Sequence, residues 1–301
     1  MNLPIIQYRK LWLTISGAMF VLAIIFLATW GLKFGIDFTG GSLLEVKFLQ
    51  ERPDVETVRG AINDLALGGE VVIQPTQEKN MILRFQESTE EVHQKIVTQL
   101  NEKFVGGMQE ERFESIGASI GQEMKTKAIY SILIVVIAII IYIAVAFRKV
   151  SFPVPSWKYG VFAAIAMMHD VVITMGVFSA LGHFFGIEVG LPFVAACLTV
   201  LGYSVNDTIV IFDRTRENLG RLAKTDFPTV VNRSLNETMA RSINTTLTTL
   251  LAIVAVYFFG GESIRYFALA LFVGIFLGAY SSIFVASPLL VLSERWGREE
   301  I

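Results

Sequence analysis

Two carboxylates, one guanidinium and a row of hydroxyls stand in stretches where a chain has no ordinary use for them. Asp207 follows Asn206 inside an apolar run that begins at Leu191 and breaks off at Asp213, Arg214, Arg216 and Glu217. Asp170 follows His169 inside another such run, Tyr159–Leu181. An ionisable side chain at membrane depth costs roughly 2.5–3.5 kcal/mol on insertion scales, and such groups pair, line wet cavities or carry protons. At 1.5 Å rise per residue, Asp207 lies about 9 Å inside the polar border at Asp213. Arg241 opens a later apolar run from the same side, with Thr245, Thr248 and Thr249 after it on one helical face. Tyr203 lies one turn from Asp207 on its own helix. A carboxylate balanced between burial and a nearby guanidinium can load and release a proton as helices shift. Asp207 and Arg241 therefore read as a proton relay. The competing readings are a static buried ion pair, or an Arg241 that reaches out to the lipid headgroups.

Asp170 shares a helical face with Thr174, and reads as a second relay group or as a polar clasp between helices, worth about 1 kcal/mol or less. His169, its neighbour in sequence, is expected to point elsewhere. Two buried carboxylates could also make an aspartyl protease, but the Gly-x-Gly-Asp run that such an enzyme carries is absent: the local sequence is Ser204-Val205-Asn206-Asp207. An arginine beside Asp207 would moreover hold it ionised. Ala270, Gly274, Gly278 and Ser282 recur at four-residue spacing, a face that lets helices approach closely.

These residues need apolar helices to hold them, and the composition supplies them. Of 301 residues, 53% are hydrophobic and 17% charged, with mean hydropathy +0.57. Soluble domains average about 25% charged. The net charge of −2 gives no basic field for nucleic acid. The one cysteine, Cys197, lies in an apolar block and can form no intrachain disulfide. Six runs are long enough to span: Leu11–Trp30, Ile129–Phe147, Tyr159–Leu181, Leu191–Phe212, Ser242–Phe259 and Tyr266–Leu292. The first reads as an uncleaved span, because Leu27–Gly31 is LATWG, with tryptophan where a cleavage site needs small residues.

The region between the first two runs is a soluble domain. A turn signal, Thr39-Gly40-Gly41, precedes a strand at Leu43–Leu49. Val55, Val58, Ile62 and Leu65 make a helical stripe stopped by Gly68-Gly69. Val71–Gln74 and Met81–Phe85 form a hairpin around the polar connection Pro75–Asn80. Ser88 with Glu91 reads as a capping box. Val92, Ile96, Leu100 and Phe104 stripe the next helix, which Gly106-Gly107 ends, and Phe113–Ile120 is the last strand-like run. The order β-α-β-β-α-β predicts a ferredoxin-like α+β domain. Its histidine, His93, is expected to be exposed. No nucleophile–base pair or metal-ligand cluster stands out, so no cofactor is expected.

Lys and Arg cluster at Arg9-Lys10, Arg148-Lys149, the connection 213–241 (Arg214, Arg216, Arg221, Lys224, Arg233) and Arg295 with Arg298. The positive-inside rule then puts both termini in the cytoplasm. The expected organisation is residues 1–32 (N-terminus and first span), 33–127 (extracytoplasmic domain), 128–292 (five spans, with the cytoplasmic connection 213–241) and 293–301 (tail). Within that connection Val230, Val231, Leu235 and Met239 suggest an amphipathic surface helix.

Four stretches together resemble the SecF family, the smaller partner of the SecD–SecF module of bacterial protein export. They are FGIDFTGGSLLEV (Phe34–Val46, with Asp37, Gly40 and Gly41), HDVVIT (His169–Thr174), GYSVNDTIVIFDRTREN (Gly202–Asn218) and RSINTTLTTL (Arg241–Leu250). Their order and placement cover nearly the whole chain. Met167-Met168 depart from the smaller residues usual before His169, which touches only local packing. The resemblance implies the proton-driven resistance–nodulation–division group and a bacterial inner-membrane location. It implies a SecD partner and work with the SecYEG channel, SecA and a translocating preprotein, with YidC and YajC as further candidates and membrane lipids as surroundings. It maps the family's proton-relay positions onto Asp207 and Arg241. A proton-driven exporter of small molecules or lipids and a passive scaffold subunit are the alternatives. No second copy of the GGSLLEV or NDTIVIFD stretch occurs here, so a two-half assembly needs its other half from another polypeptide or a second copy.

Overall fold

The structure is a computed structural model that describes residues 3–65, 67, 71–76, 78–86, 88–104, 106–147, 153–222 and 225–296. The expected helix stop at Gly68-Gly69, the cations Arg148, Lys149, Lys224 and Arg298, and the side chain of Arg295 lie outside the described residues. The chain divides into two compact units, one of Phe34–Ile129 and one of the remaining residues on either side.

In the smaller unit a four-residue helix α2 (Ile36–Thr39) leads into β1 (Gly41–Phe48), α3 (Val55–Ile62), β2 (Val72–Thr76), β3 (Asn80–Phe85), α4 (Glu90–Lys103) and β4 (Met108–Ile116). The sheet order is β2-β3-β1-β4, and every pairing is antiparallel. That is the ferredoxin-like arrangement. The period-2 residues Leu44, Val46 and Phe48 of β1 join Val58 and Ile62 of α3 and Ile96 and Leu100 of α4 in one core. Asp54 caps α3, accepting from the Thr57 backbone N–H (2.7 Å) and hydroxyl (2.9 Å). These bonds hold its carboxyl below the ordinary carboxylate range. The unfolded Asp54 binds its proton more tightly, so the cap's contribution is present above the unfolded pKa and lost as pH falls through the folded one. Acid titration of this domain's thermal unfolding should therefore fall less steeply in Asp54→Ala than in the parent.

Three local expectations change. His93 is buried, not exposed: its ring stacks on Phe113 at 3.8 Å. Its two nitrogens lie 3.1 Å from Glu90 and Glu110, so two carboxylates replace the water it gives up. Ser88 does not cap α4. Thr89 holds the N-cap position without a side-chain bond, and the Ser88 N–H instead donates to the Ser42 hydroxyl. The last strand begins and ends earlier than Phe113–Ile120, because β4 gains its partners along β1 up to Gly41↔Ile116 and the chain turns helical at Ala118.

Gly40 has φ 72° and ψ 173°, a region essentially reserved for glycine. A Cβ there would sit 2.6 Å from the Ala118 Cα, and one on Gly121 would sit 2.9 Å from the Gly40 nitrogen. The double glycine thus lets the α2–β1 turn press backbone to backbone on the start of α5 (Ala118–Ala146). Gly40→Ala should lower the stability of this unit by about 2–3 kcal/mol, the sum of a Gly-only conformation and a backbone clash. Thermal unfolding of the purified chain measures it.

The larger unit holds α1 (Arg9–Thr29), α6 (Ser156–Phe185), α7 (Leu191–Arg221), α8 (Phe227–Phe259), α9 (Glu262–Ser281) and α10 (Ser287–Trp296), along with most of α5. Six helical stretches are long and apolar enough to cross a membrane, α9 and α10 forming one of them across the π-helical segment Ser282–Ala286. The chain is mainly helical. Helices α1 and α6 meet where a Cβ on Gly176 would lie 2.5 Å from that of Ala23. Among the described residues the connection 213–241 contains no separate surface helix. Instead α7 runs on to Arg221, carried by the ion pairs Arg216–Asp213 (2.9 Å) and Arg221–Glu217 (2.6 Å). Helix α8 already starts at Phe227, with Val230, Val231 and Leu235 buried.

Candidate functional site

Asp170 is fully buried in the middle of α6 and collects hydrogen bonds from two other helices. Ser204 of α7 and Ser281 of α9 each donate a hydroxyl to its Oδ2 at 2.6 Å. His169 Nδ1 lies 3.0 Å from its Oδ1, so the histidine turns toward its neighbour rather than away from it. The ring is held between Phe20 and Tyr280, with centroids at 6.2 and 6.5 Å. Thr174 shares the face as expected, but its hydroxyl donates to the Asp170 main-chain carbonyl (2.8 Å) rather than to the carboxylate. Asp170 thus ties α6, α7 and α9 together.

The small-residue face of α9 makes this close approach possible. A Cβ on Gly274 would fall 2.2 Å from Val200, and one on Gly278 3.0 Å from the Ser204 Cα. Ala270 is buried as well. The face therefore packs on α7. Ser282 does more than pack, since its hydroxyl shares a 2.7 Å bond with that of Thr208. It opens the π-helical segment Ser282–Ala286, a deviation common at functional sites.

Asp207 is placed differently. It is 4% exposed, and among the described residues its Oδ2 has no hydrogen-bond partner. On α8 the Ser242 hydroxyl lies against the Asp207 carboxyl, and the buried Thr246 hydroxyl has no hydrogen-bond partner among the described residues. Arg241 is exposed, and no ion pair within 4.0 Å joins it to Asp207 among the described residues. The expected close pair is therefore not made in the isolated chain. Asn206, Arg241, Thr245 and Thr248 all face outward, and Thr249 is half-buried. The three threonine hydroxyls bond carbonyls of their own helix, and the half-buried Tyr203 donates to Thr249 at 3.2 Å. Asp37 lies in the first turn of α2.

Reading the sequence missed Ser204, Ser281 and Ser242. Serines on separate helices carry no spacing signal, although Ser281 directly precedes Ser282 of the small-residue face and Ser204 stands three residues before Asp207.

The double-glycine turn and the six helices have counterparts in known proteins. A family model described as "Protein export membrane protein SecD/SecF, C-terminal" matches residues 96–296, and one described as "SecD/SecF GG Motif" matches residues 25–48. "Protein translocase subunit SecF" of Thermobaculum terrenum is 40% identical over 97% of this chain and 94% of its own. The chain belongs to the SecF family. The SecF of Haemophilus influenzae is 37% identical, over 93% of this chain and 82% of its own. A crystal structure titled SecDF, a translocon-associated membrane protein from Thermus thermophilus, superimposes with TM-score 0.84 at 33% identity, covering 98% of this chain. A second, titled SecDF in super-membrane-facing form, gives 0.70 at 32% over 100%. This chain spans only 39% and 40% of those two solved chains. As a SecF family member it is a multi-pass membrane protein whose relatives are protein translocase subunits.

Proposed function

We propose that the chain is the smaller half of a two-half membrane machine. With SecD it uses the proton-motive force to promote late, SecA-independent steps of preprotein export through SecYEG. It is a transport subunit and not an enzyme. The observation that carries this reading is the face of α7 and α8 around Asp207. Asn206, Arg241, Thr245 and Thr248 are turned outward in helices apolar enough to span, beside a buried carboxylate oxygen with no partner. Hydrocarbon cannot satisfy the Arg241 guanidinium, the Asn206 amide or that carboxylate oxygen. A second polar helical half can, and SecD is that half on the family reading. The SecDF chains, of which this one matches about two fifths, extend well beyond it.

In this reading Asp207 takes up and releases the proton. Arg241 approaches or leaves as the halves shift, and the threonine face with Tyr203 and Asn206 carries water between them. Asp170 is the fixed clasp. Residues 33–127 lie outside the inner membrane and move against the preprotein, while both termini and the 213–241 connection are cytoplasmic. YidC and YajC are candidate neighbours.

The test is export itself. In vesicles reconstituted with SecD, SecYEG and SecA, preprotein completion should rise when a proton gradient is imposed. Asp207→Asn should remove that increment while leaving the ATP-driven part. An increment of parental size in Asp207→Asn would refute the relay.

A further inference from the structure

At the start of the first span a cleft of about 610 Å³ opens between the N-terminal segment and the first turns of α8. Its wall is built firmly. Asn236 Oδ1 accepts from the Leu3 N–H (2.7 Å), and Asn232 Oδ1 accepts from the Ile6 N–H (3.1 Å). Both amide groups then donate to the Leu3 carbonyl at 3.0 Å. The asparagines are thus spent on holding the chain, and they leave the charged residues to define what the cleft takes.

Those residues are Arg9, Arg233 and Glu237. Glu237 is already committed, to Arg214 at 2.6 Å, Arg233 at 2.9 Å and Asn218 at 2.8 Å. Arg9 is not. Its Nη1 donates to the Ile6 carbonyl at 3.1 Å, which fixes the guanidinium, while its Nε is buried with no hydrogen-bond partner. Among the described residues no carboxylate pairs with it. A pinned guanidinium with no carboxylate of its own among the described residues, beside a second one at the rim, suits a phosphate oxygen, because the planar fork matches that geometry.

The surroundings say which phosphate. The charge-free run of the first span begins at Leu11, so Arg9 stands at the hydrocarbon border. Leu3, Tyr8 and Leu11 are exposed beside it. An aromatic and two aliphatic side chains open to lipid next to a basic cleft form the setting in which headgroups are bound between membrane helices. We infer that this cleft is a binding site for the phosphodiester headgroup of one anionic phospholipid, held by Arg9 with Arg233, its acyl chains lying along α1.

Native mass spectrometry of the full purified chain in detergent tests this, with phosphatidylglycerol or phosphatidylcholine added in turn. One phosphatidylglycerol should remain bound at concentrations about fivefold below those needed for phosphatidylcholine, the preference expected for one well-placed arginine. Arg9→Gln should abolish that preference, and Arg233→Gln should reduce it. Lys10→Gln makes the same charge change on an exposed neighbour outside the cleft, and should keep it. Should Arg9→Gln fail to fold, as judged by size-exclusion profile and thermal unfolding, Arg233→Gln against Lys10→Gln decides. Equal retention of both lipids would overturn the inference. So would a loss in Lys10→Gln as large as in the arginine variants, which would mean diffuse surface charge. Displacement of the lipid by millimolar inorganic phosphate would overturn the lipid assignment in favour of a free-phosphate site.

Discussion

Asp170→Ala is expected to lower the stability of the helical unit by about 3 kcal/mol or more, whereas Asp170→Asn should cost about 1 kcal/mol. The alanine variant removes the common acceptor of Ser204, Ser281 and His169 from a site closed to water. The two serines can fall back on carbonyls one turn earlier in their own helices, as Ser281 already does in part toward Gly278 at 3.3 Å. His169 has no such retreat, since its Nε2 is itself buried without a partner. Asparagine keeps one acceptor oxygen and the shape, and the serine hydroxyls can turn to meet its amide. Thermal unfolding in detergent, followed by tryptophan fluorescence, separates the two variants. Equal losses would mean that charge, and not the pattern of hydrogen bonds, holds the three helices.

The second large effect belongs to Gly278. A valine there must displace the Ser204 backbone, because its Cβ would start only 3.0 Å from the Ser204 Cα. Overpacking of this kind costs roughly 1–3 kcal/mol. Pushing α7 away also stretches the 2.6 Å bond from Ser204 to Asp170. Gly278→Val and Asp170→Ala therefore damage one shared contact, and the double variant should lose less than the sum of the singles. Strict additivity would show that the small-residue face and the clasp act independently. Gly274→Ala should also be costly, since its Cβ would fall 2.2 and 2.8 Å from the two methyls of Val200, a stiff and buried side chain with little room to turn.

Much of this arrangement could be read from residue order. Long apolar runs predict six spans because hydrocarbon leaves no other partner for the backbone. The stripe of Val92, Ile96 and Leu100 places α4 on the sheet, since that spacing puts all three on one face. The four-residue spacing of Gly274 and Gly278 predicts a close helix contact, although only the structure names α7 as the partner. Helix ends were less legible. Asp213, Arg214, Arg216 and Glu217 look like a border, yet α7 passes through them because charges three and four apart support a helix outside lipid.

The partners of buried polar groups were the least legible. His93 looked like an ordinary surface histidine, and its burial depends on Glu110, which belongs to β4. Asp170 gave no hint of Ser204 and Ser281, since hydrogen bonds between helices leave no period in the sequence. Arg241 is expected against Asp207, and instead Arg241 is turned outward while Asp207 is buried. That difference sharpens the functional reading, because a pair that is apart here is free to close when the other half is present.

The most direct test of that reading is proton entry, measured apart from export. Proteoliposomes holding this chain with its SecD partner, loaded with a pH-sensitive dye and given an acid-outside gradient, should acidify faster when the export machinery and a preprotein are engaged. Asp207→Asn should lose that stimulated acidification, while Asp213→Asn, an exposed carboxylate beyond the apolar run, should keep it. Stimulated acidification at the parental rate in Asp207→Asn would contradict the account.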